Sequence, residues 1–182
     1  DLGMGAARVE MAVSTAEATG ATALVFEGAR LSERGLDHAE LLIAPNPGEP
    51  PRPLSKVASG GELSRSLLAI KRVLAGLGPV GLYVFDEVDT GVGGAIAESI
   101  AQKLVQVATH HQVLCITHQA PIAAYGHDHY VVAKTVRDDR TFSRVEQLAP
   151  EQRVEELARM LGGLTITDTT RSAARELLQL AR

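Results

Sequence analysis

The sequence predicts an α/β fold, a mostly parallel sheet flanked by helices with a β-hairpin added. Three observations predict it. Leu82-Tyr83-Val84-Phe85 is a short, apolar, β-favouring run, and Gln112–Thr117 is a second. Between them Ile96, Ile100, Leu104 and Val107 recur at helical spacing, so a strand–helix–strand unit makes the two strands parallel. Further on, Asp128–Thr135 and Thr141–Leu148 alternate around Val136–Arg140, which reads as a hairpin.

Taken in order, Arg8–Val13 alternates and predicts a strand with Val9, Met11 and Val13 on one face. Thr19-Gly20 and Glu33-Arg34-Gly35 read as turns, with a short strand around Ala23–Glu27 and another at Leu41–Ala44. Five prolines in Pro45–Pro53 exclude helix and central strand and predict a stiff connector. Ser59-Gly60-Gly61-Glu62 then opens a helix, with Ser59 as N-cap and Glu62 three residues on. Leu63, Leu67, Ile70 and Leu74 carry its apolar face. After the central strand a helix is expected over Gly94–Thr109, ending at His110-His111, where a helix C-terminus favours histidine better than a metal explains the pair. A short helix near Gln119–Tyr125 follows the second strand. Two helices close the chain, Pro150–Leu161 and Asp168–Leu180; the latter is expected to be capped by Asp168 or Thr169, with Ala173, Leu177 and Leu180 as its stripe.

The 182 residues are 45% hydrophobic and 22% charged, which is globular composition with room for a real core. Aromatic residues make up 3%, so that core is aliphatic. The single cysteine, Cys115, lies in an apolar run, which excludes a disulfide framework and favours a core role in a reducing compartment. The net charge of −4 argues against a chain that binds nucleic acid mainly through its own surface. No apolar run reaches the ~20 residues of a membrane span, and no signal-peptide pattern is present. Because the first residue is Asp1, the chain is expected to begin inside a longer polypeptide.

The chemistry gathers at strand ends. Asp86 and Glu87 follow Phe85 at once, and Asp89 stands two residues beyond, before Gly91, Gly93 and Gly94. Ligands in open α/β sheets bind outside the carboxyl ends of strands. Two acids there can divide the work, one holding a hydrated Mg²⁺ and one orienting or deprotonating a water. His118 ends the parallel neighbour and so belongs to the same rim, although a histidine capping the next helix is an equal reading of that residue alone. The two glycines of the first helical turn cost up to about 1 kcal/mol each relative to alanine. They make sense if a large anion approaches bare N–H groups and the Ser59 hydroxyl.

In one order stand Ser59-Gly60-Gly61-Glu62, a strand ending in Asp86-Glu87 with Asp89 after it, and a strand ending in His118. This resembles the signature motif, Walker B, D-loop and switch histidine of ATP-binding cassette ATPases, a P-loop NTPase-like fold. Glu62 in place of glutamine, and DEVDTGVGG, resemble the SMC-like branch. No GxxxxGK[ST] stretch occurs in the chain. The resemblance therefore implies the C-terminal lobe of a split ATPase head, whose N-terminal Walker A half lies elsewhere.

On that resemblance residues 1–182 form a single lobe: opening strands and connector over 1–53, the signature helix over 54–79, the α/β core over 80–135, and the hairpin end with the last helices over 136–182. Asp86 would hold Mg²⁺, Glu87 would be the general base, and His118 would contact the γ-phosphate and the attacking water. Asp89 would lie at a dimer seam. Ser59, Gly60, Gly61 and Glu62 would meet ATP carried by a second head in an ATP-dependent homodimer. The implied work is tethering DNA in double-strand break repair, in the cytoplasm at the nucleoid, with no membrane partner and DNA held mainly outside this lobe. The segment alone is expected to be inactive. Two rivals remain, the ATPase subunit of a membrane transporter and a clamp that dimerises on ATP without hydrolysing it.

Overall fold

The computed structural model describes residues 2–17, 24–56, 60–74, 76, 80–137, 139–163 and 165–181. They form two compact units. One is Met4–Leu63; the other is Ser64–Arg182 with the start of the chain up to Gly3.

In the first unit β1 (Arg8–Thr15) pairs antiparallel with β4 (Asp37–Ala44) along its whole length, from Arg8↔Ala44 to Thr15↔Asp37. Between them β2 (Val25–Phe26) and β3 (Ala29–Arg30) make a two-residue hairpin. Glu33-Arg34-Gly35 turns as expected, with Ser32 and Gly35 bonding each other's backbones at 3.0 Å both ways. The Thr19-Gly20 turn lies outside the described residues. The proline segment does enter the sheet, but only at its margin. There β5 (Arg52–Pro53) adds beside β4, where a residue without an N–H is tolerated, and a single 3-10 turn follows at Leu54–Lys56. Val9, Met11 and Val13 do share a face of β1, and that face is open, each being 57–63% exposed.

The helix α1 (Gly60–Val73) carries the chain into the second unit. There β6 (Leu82–Phe85) and β7 (Gln112–Cys115) pair in parallel, Phe85 opposite Cys115, joined by α2 (Gly94–Ala108). The predicted strand–helix–strand unit is thus present. Tyr83, Phe85, Val113 and Cys115 turn to a core built with Leu68 of α1, Val88, and Ala97, Ile100, Leu104 and Val107 of α2. Their neighbours Leu82, Val84, Leu114 and Ile116 face away and are 47–57% exposed. His111 ties the layers together through both ring nitrogens: Nδ1 lies 2.8 Å from the Val80 carbonyl, and Nε2 accepts the Gly76 N–H at 3.4 Å.

After β7 comes α3 (Ala120–Ala124), then a hairpin of β8 (Tyr130–Arg137) and β9 (Arg140–Gln147), then α4 (Pro150–Gly162) and α5 (Asp168–Leu180). The hairpin closes more tightly than expected, because Val136 and Arg137 stay in the ladder opposite Thr141 and Arg140. The cap of α5 is Thr167, whose hydroxyl accepts the Thr170 N–H, and not Asp168 or Thr169. Its core stripe is Ala174 with Leu177, Leu178 and Ala181, while Leu180 is 68% exposed.

Candidate active site

β6 ends at Phe85, whose carbonyl accepts the Ile116 N–H at 2.9 Å, so the parallel ladder runs one step past β7. Asp86 and Glu87 follow on one strand and Thr117 and His118 on the other, all at one rim. Asp86 Oδ1 accepts the Glu87 N–H at 2.9 Å. Glu87 sits at φ +58°, in the left-handed region that L-residues avoid. Val88 is fully buried and pins the loop into the core, and Asp89 is 2% exposed beside it. The two preceding carboxylates are left in solvent. Gly91 at φ +72° and Gly94 at φ +54° then turn the chain into α2.

Two neighbours on α1 grip this acidic loop from behind. Ser64 Oγ donates to the Asp86 carbonyl at 2.8 Å, and Arg65 Nη1 to the Thr90 carbonyl at 2.9 Å. Arg65 is itself buried, with Nε facing no partner. Neither residue stood out in the sequence, because both contacts span more than 20 positions and follow no spacing rule.

Asp89 reaches across to the neighbouring strand. Its Oδ2 accepts the Thr117 hydroxyl at 2.5 Å and the His118 N–H at 2.9 Å, and lies 3.1 Å from His118 Nδ1. The His118 side chain is otherwise 70% exposed. Burial, and then the negative charges of Asp89 and Asp86, push the Cys115 thiol up to about 12. That makes Cys115 an inert core thiol, and the charges responsible are those of the rim.

Among the described residues no cluster of three or more His, Cys, Asp or Glu could enclose a metal. Adjacent exposed carboxylates nevertheless suit a cation that takes most of its oxygens from water and phosphate, as Mg²⁺ does. Of the expected signature residues, Ser59 lies outside the described residues. Gly60 is exposed, Gly61 buried and Glu62 half-buried in the first turn of α1. The second unit thus brings together Asp86, Glu87, Asp89 and His118, while Gly60, Gly61 and Glu62 belong to the first unit.

No family model matches the chain. Curated sequences do. The DNA repair protein RecN of Xylella fastidiosa (strain 9a5c) is 52% identical over 153 residues, 84% of this chain and 28% of that protein. RecN of Bacillus subtilis is 47% identical over 152 residues, covering 84% and 26%. RecN of Streptomyces coelicolor is 44% identical over 181 residues, covering 100% and 32%. The chain thus spans between a quarter and a third of these relatives' length. Among solved structures, an Smc head domain from Pyrococcus furiosus, bound to the C-terminal domain of ScpA, is similar over 87% of this chain and 35% of its own, at 18% identity and a TM-score of 0.49. Another, described as ATP-driven dimerization and DNA-stimulated activation of SMC ATPases, covers 68% of this chain and 73% of its own at 22% identity and a TM-score of 0.44. With identities of 44–52% sustained over most of its length, the chain belongs to the RecN family of DNA repair proteins, as a segment of it.

Proposed function

We propose that this segment is the C-terminal lobe of a split ATP-binding cassette ATPase head that tethers DNA during double-strand break repair. The observation that carries the reading is the rim where the acid pair Asp86-Glu87 and the imidazole of His118 end two parallel strands. The open apolar face of β6 and β7 supports the split. Parallel strands are ordinarily covered on both sides, and a Walker A half is the natural cover here.

Asp86, with its Oδ1 already fixed by the Glu87 N–H, is the residue that would hold Mg²⁺. When bound, the ion supplies charge neutralisation to phosphate oxygens. Glu87, exposed beside it, orients and deprotonates the attacking water. His118 contacts that water beside the γ-phosphate. Ser59, Gly60 and Gly61 meet the triphosphate carried by a second head, and Glu62 supports that helix tip, so ATP joins the heads and hydrolysis releases them. Asp89, placed at the seam by the family resemblance, spends its carboxylate inside its own chain, so any coupling between heads runs through the loop it anchors. DNA is held mainly by other parts of the protein, in the cytoplasm at the nucleoid. Among the described residues no helix is long and apolar enough to cross a membrane. The segment by itself turns over no ATP.

The test uses a head assembled from this chain and its Walker A half. Glu87→Gln keeps ATP binding, slows hydrolysis by about 100-fold or more, and accumulates dimers on a sizing column. Wild-type turnover in that variant removes Glu87 as the base.

A further inference from the structure

The geometry points to Asp89 as a positioning residue for His118: it holds the imidazole in its Nδ1–H tautomer and leaves Nε2 as a bare acceptor at the rim. Two independent contacts select that tautomer. On one side a single oxygen, Asp89 Oδ2, collects a backbone N–H and a hydroxyl, which fix the carboxylate in place. His118 Nδ1 stands 3.1 Å from that oxygen. An ionised carboxylate only accepts, so Nδ1 must carry the hydrogen. On the other side the Gln119 side-chain nitrogen donates to the Val92 carbonyl at 3.0 Å, which identifies the nitrogen end of that amide. The same nitrogen lies 3.4 Å from His118 Nε2, so a donor faces the second ring nitrogen, as a bare lone pair requires. The ring is gripped at its root by a carboxylate with 3% of its side chain exposed, while its tip stands in solvent.

The consequence deepens the ATPase reading and rests on it. A neutral His118 held this way accepts a hydrogen bond at Nε2 and has none to donate there. Its partner in that form is the proton of a water or hydroxyl, not a phosphate oxygen. Asp89 makes this possible without touching the ligand.

The tautomer can be read on this chain without nucleotide. Long-range ¹⁵N–¹H correlation spectra at about pH 8, above the ordinary imidazole pKa of about 6.5, distinguish the two forms. His118→Gln assigns the signal among the 6 histidines. The expected result is Nδ1 protonated in the wild type and a clear rise in the Nε2–H share in Asp89→Ala, which removes the acceptor; Asp89→Asn would keep a carbonyl oxygen under the same donors. An Nε2–H wild type, or an unchanged tautomer in Asp89→Ala, overturns the proposal. In the complete head, Asp89→Ala lowers kcat by about 10- to 100-fold with the KM for ATP changed by less than about twofold. An unchanged kcat overturns it as well. Should Asp89→Ala fail to fold, the wild-type spectrum decides, with Thr117→Val as the milder variant expected to loosen the preference. A wild-type head without turnover would sink the ATPase reading, and the tautomer spectra would still decide this one.

Discussion

At Glu87 backbone and side chain make opposite demands. The left-handed conformation at φ +58° costs an L-residue roughly 1–2 kcal/mol, and glycine would adopt it freely. Glycine would also delete the carboxylate. A strained residue in the middle of an acidic rim is the pattern of a site that keeps its chemistry at some expense of stability. Comparing two deletions of the same carboxylate separates the terms. In urea unfolding of this chain, Glu87→Gly should be more stable than Glu87→Ala by about 1 kcal/mol. Equal stabilities would mean that the loop relaxes without strain. The sequence shows the acids and the strand they follow. It does not show the left-handed turn, because that arises when Val88 is driven into the core and Asp89 is bonded to Thr117 and His118 across 28 and 29 positions.

Among the elements, the most legible are those whose signal is local. The period of α2 and the two apolar runs flanking it were enough for β6, α2 and β7, and so for the shared rim. Ends were less legible. Thr167 caps α5 because its hydroxyl meets the Thr170 N–H, a choice that Asp168 and Thr169 contested equally on residue type. The seam between α3 and α4 was not legible at all. Arg153 of α4 donates to the carbonyls of Ala123, Ala124, Gly126 and His127, closing the exposed end of α3 behind the rim. Beside it His129 has a buried, unpartnered Nδ1. Burial, and then the Arg153 cation, hold the His129 pKa below its usual value, against a smaller opposing pull from Glu156. The unfolded chain therefore takes up that proton first. This contribution to stability is complete above about pH 6.5 and is lost as pH falls from there toward the lower folded value. Urea midpoints measured from pH 7.5 down to 5 should decline, and His129→Gln should remove up to about 1.4 kcal/mol per pH unit of that slope. An identical slope in the variant would assign the decline to other groups.

For the molecule as a whole, the exposed apolar residues carry the most information. Val9, Met11 and Val13 on β1, and Leu82, Val84, Leu114 and Ile116 on β6 and β7, are all open to solvent. Parallel strands are ordinarily covered on both faces, and β6 and β7 have a core on one side only. A contiguous open apolar face of this kind marks a contact surface. Val84→Lys with Leu114→Glu, opposite charges on directly paired positions, should leave this chain folded, with urea stability within about 1 kcal/mol of the wild type. It should abolish co-elution with a separately prepared Walker A half. Undiminished co-elution would place that half elsewhere.

The two adjacent side chains of α1 that hold the carbonyls of Asp86 and Thr90 grasp the acidic loop near both its ends. The helix thus fixes the backbone from which the acids project, and removing either side chain would disturb the rim without deleting a carboxylate.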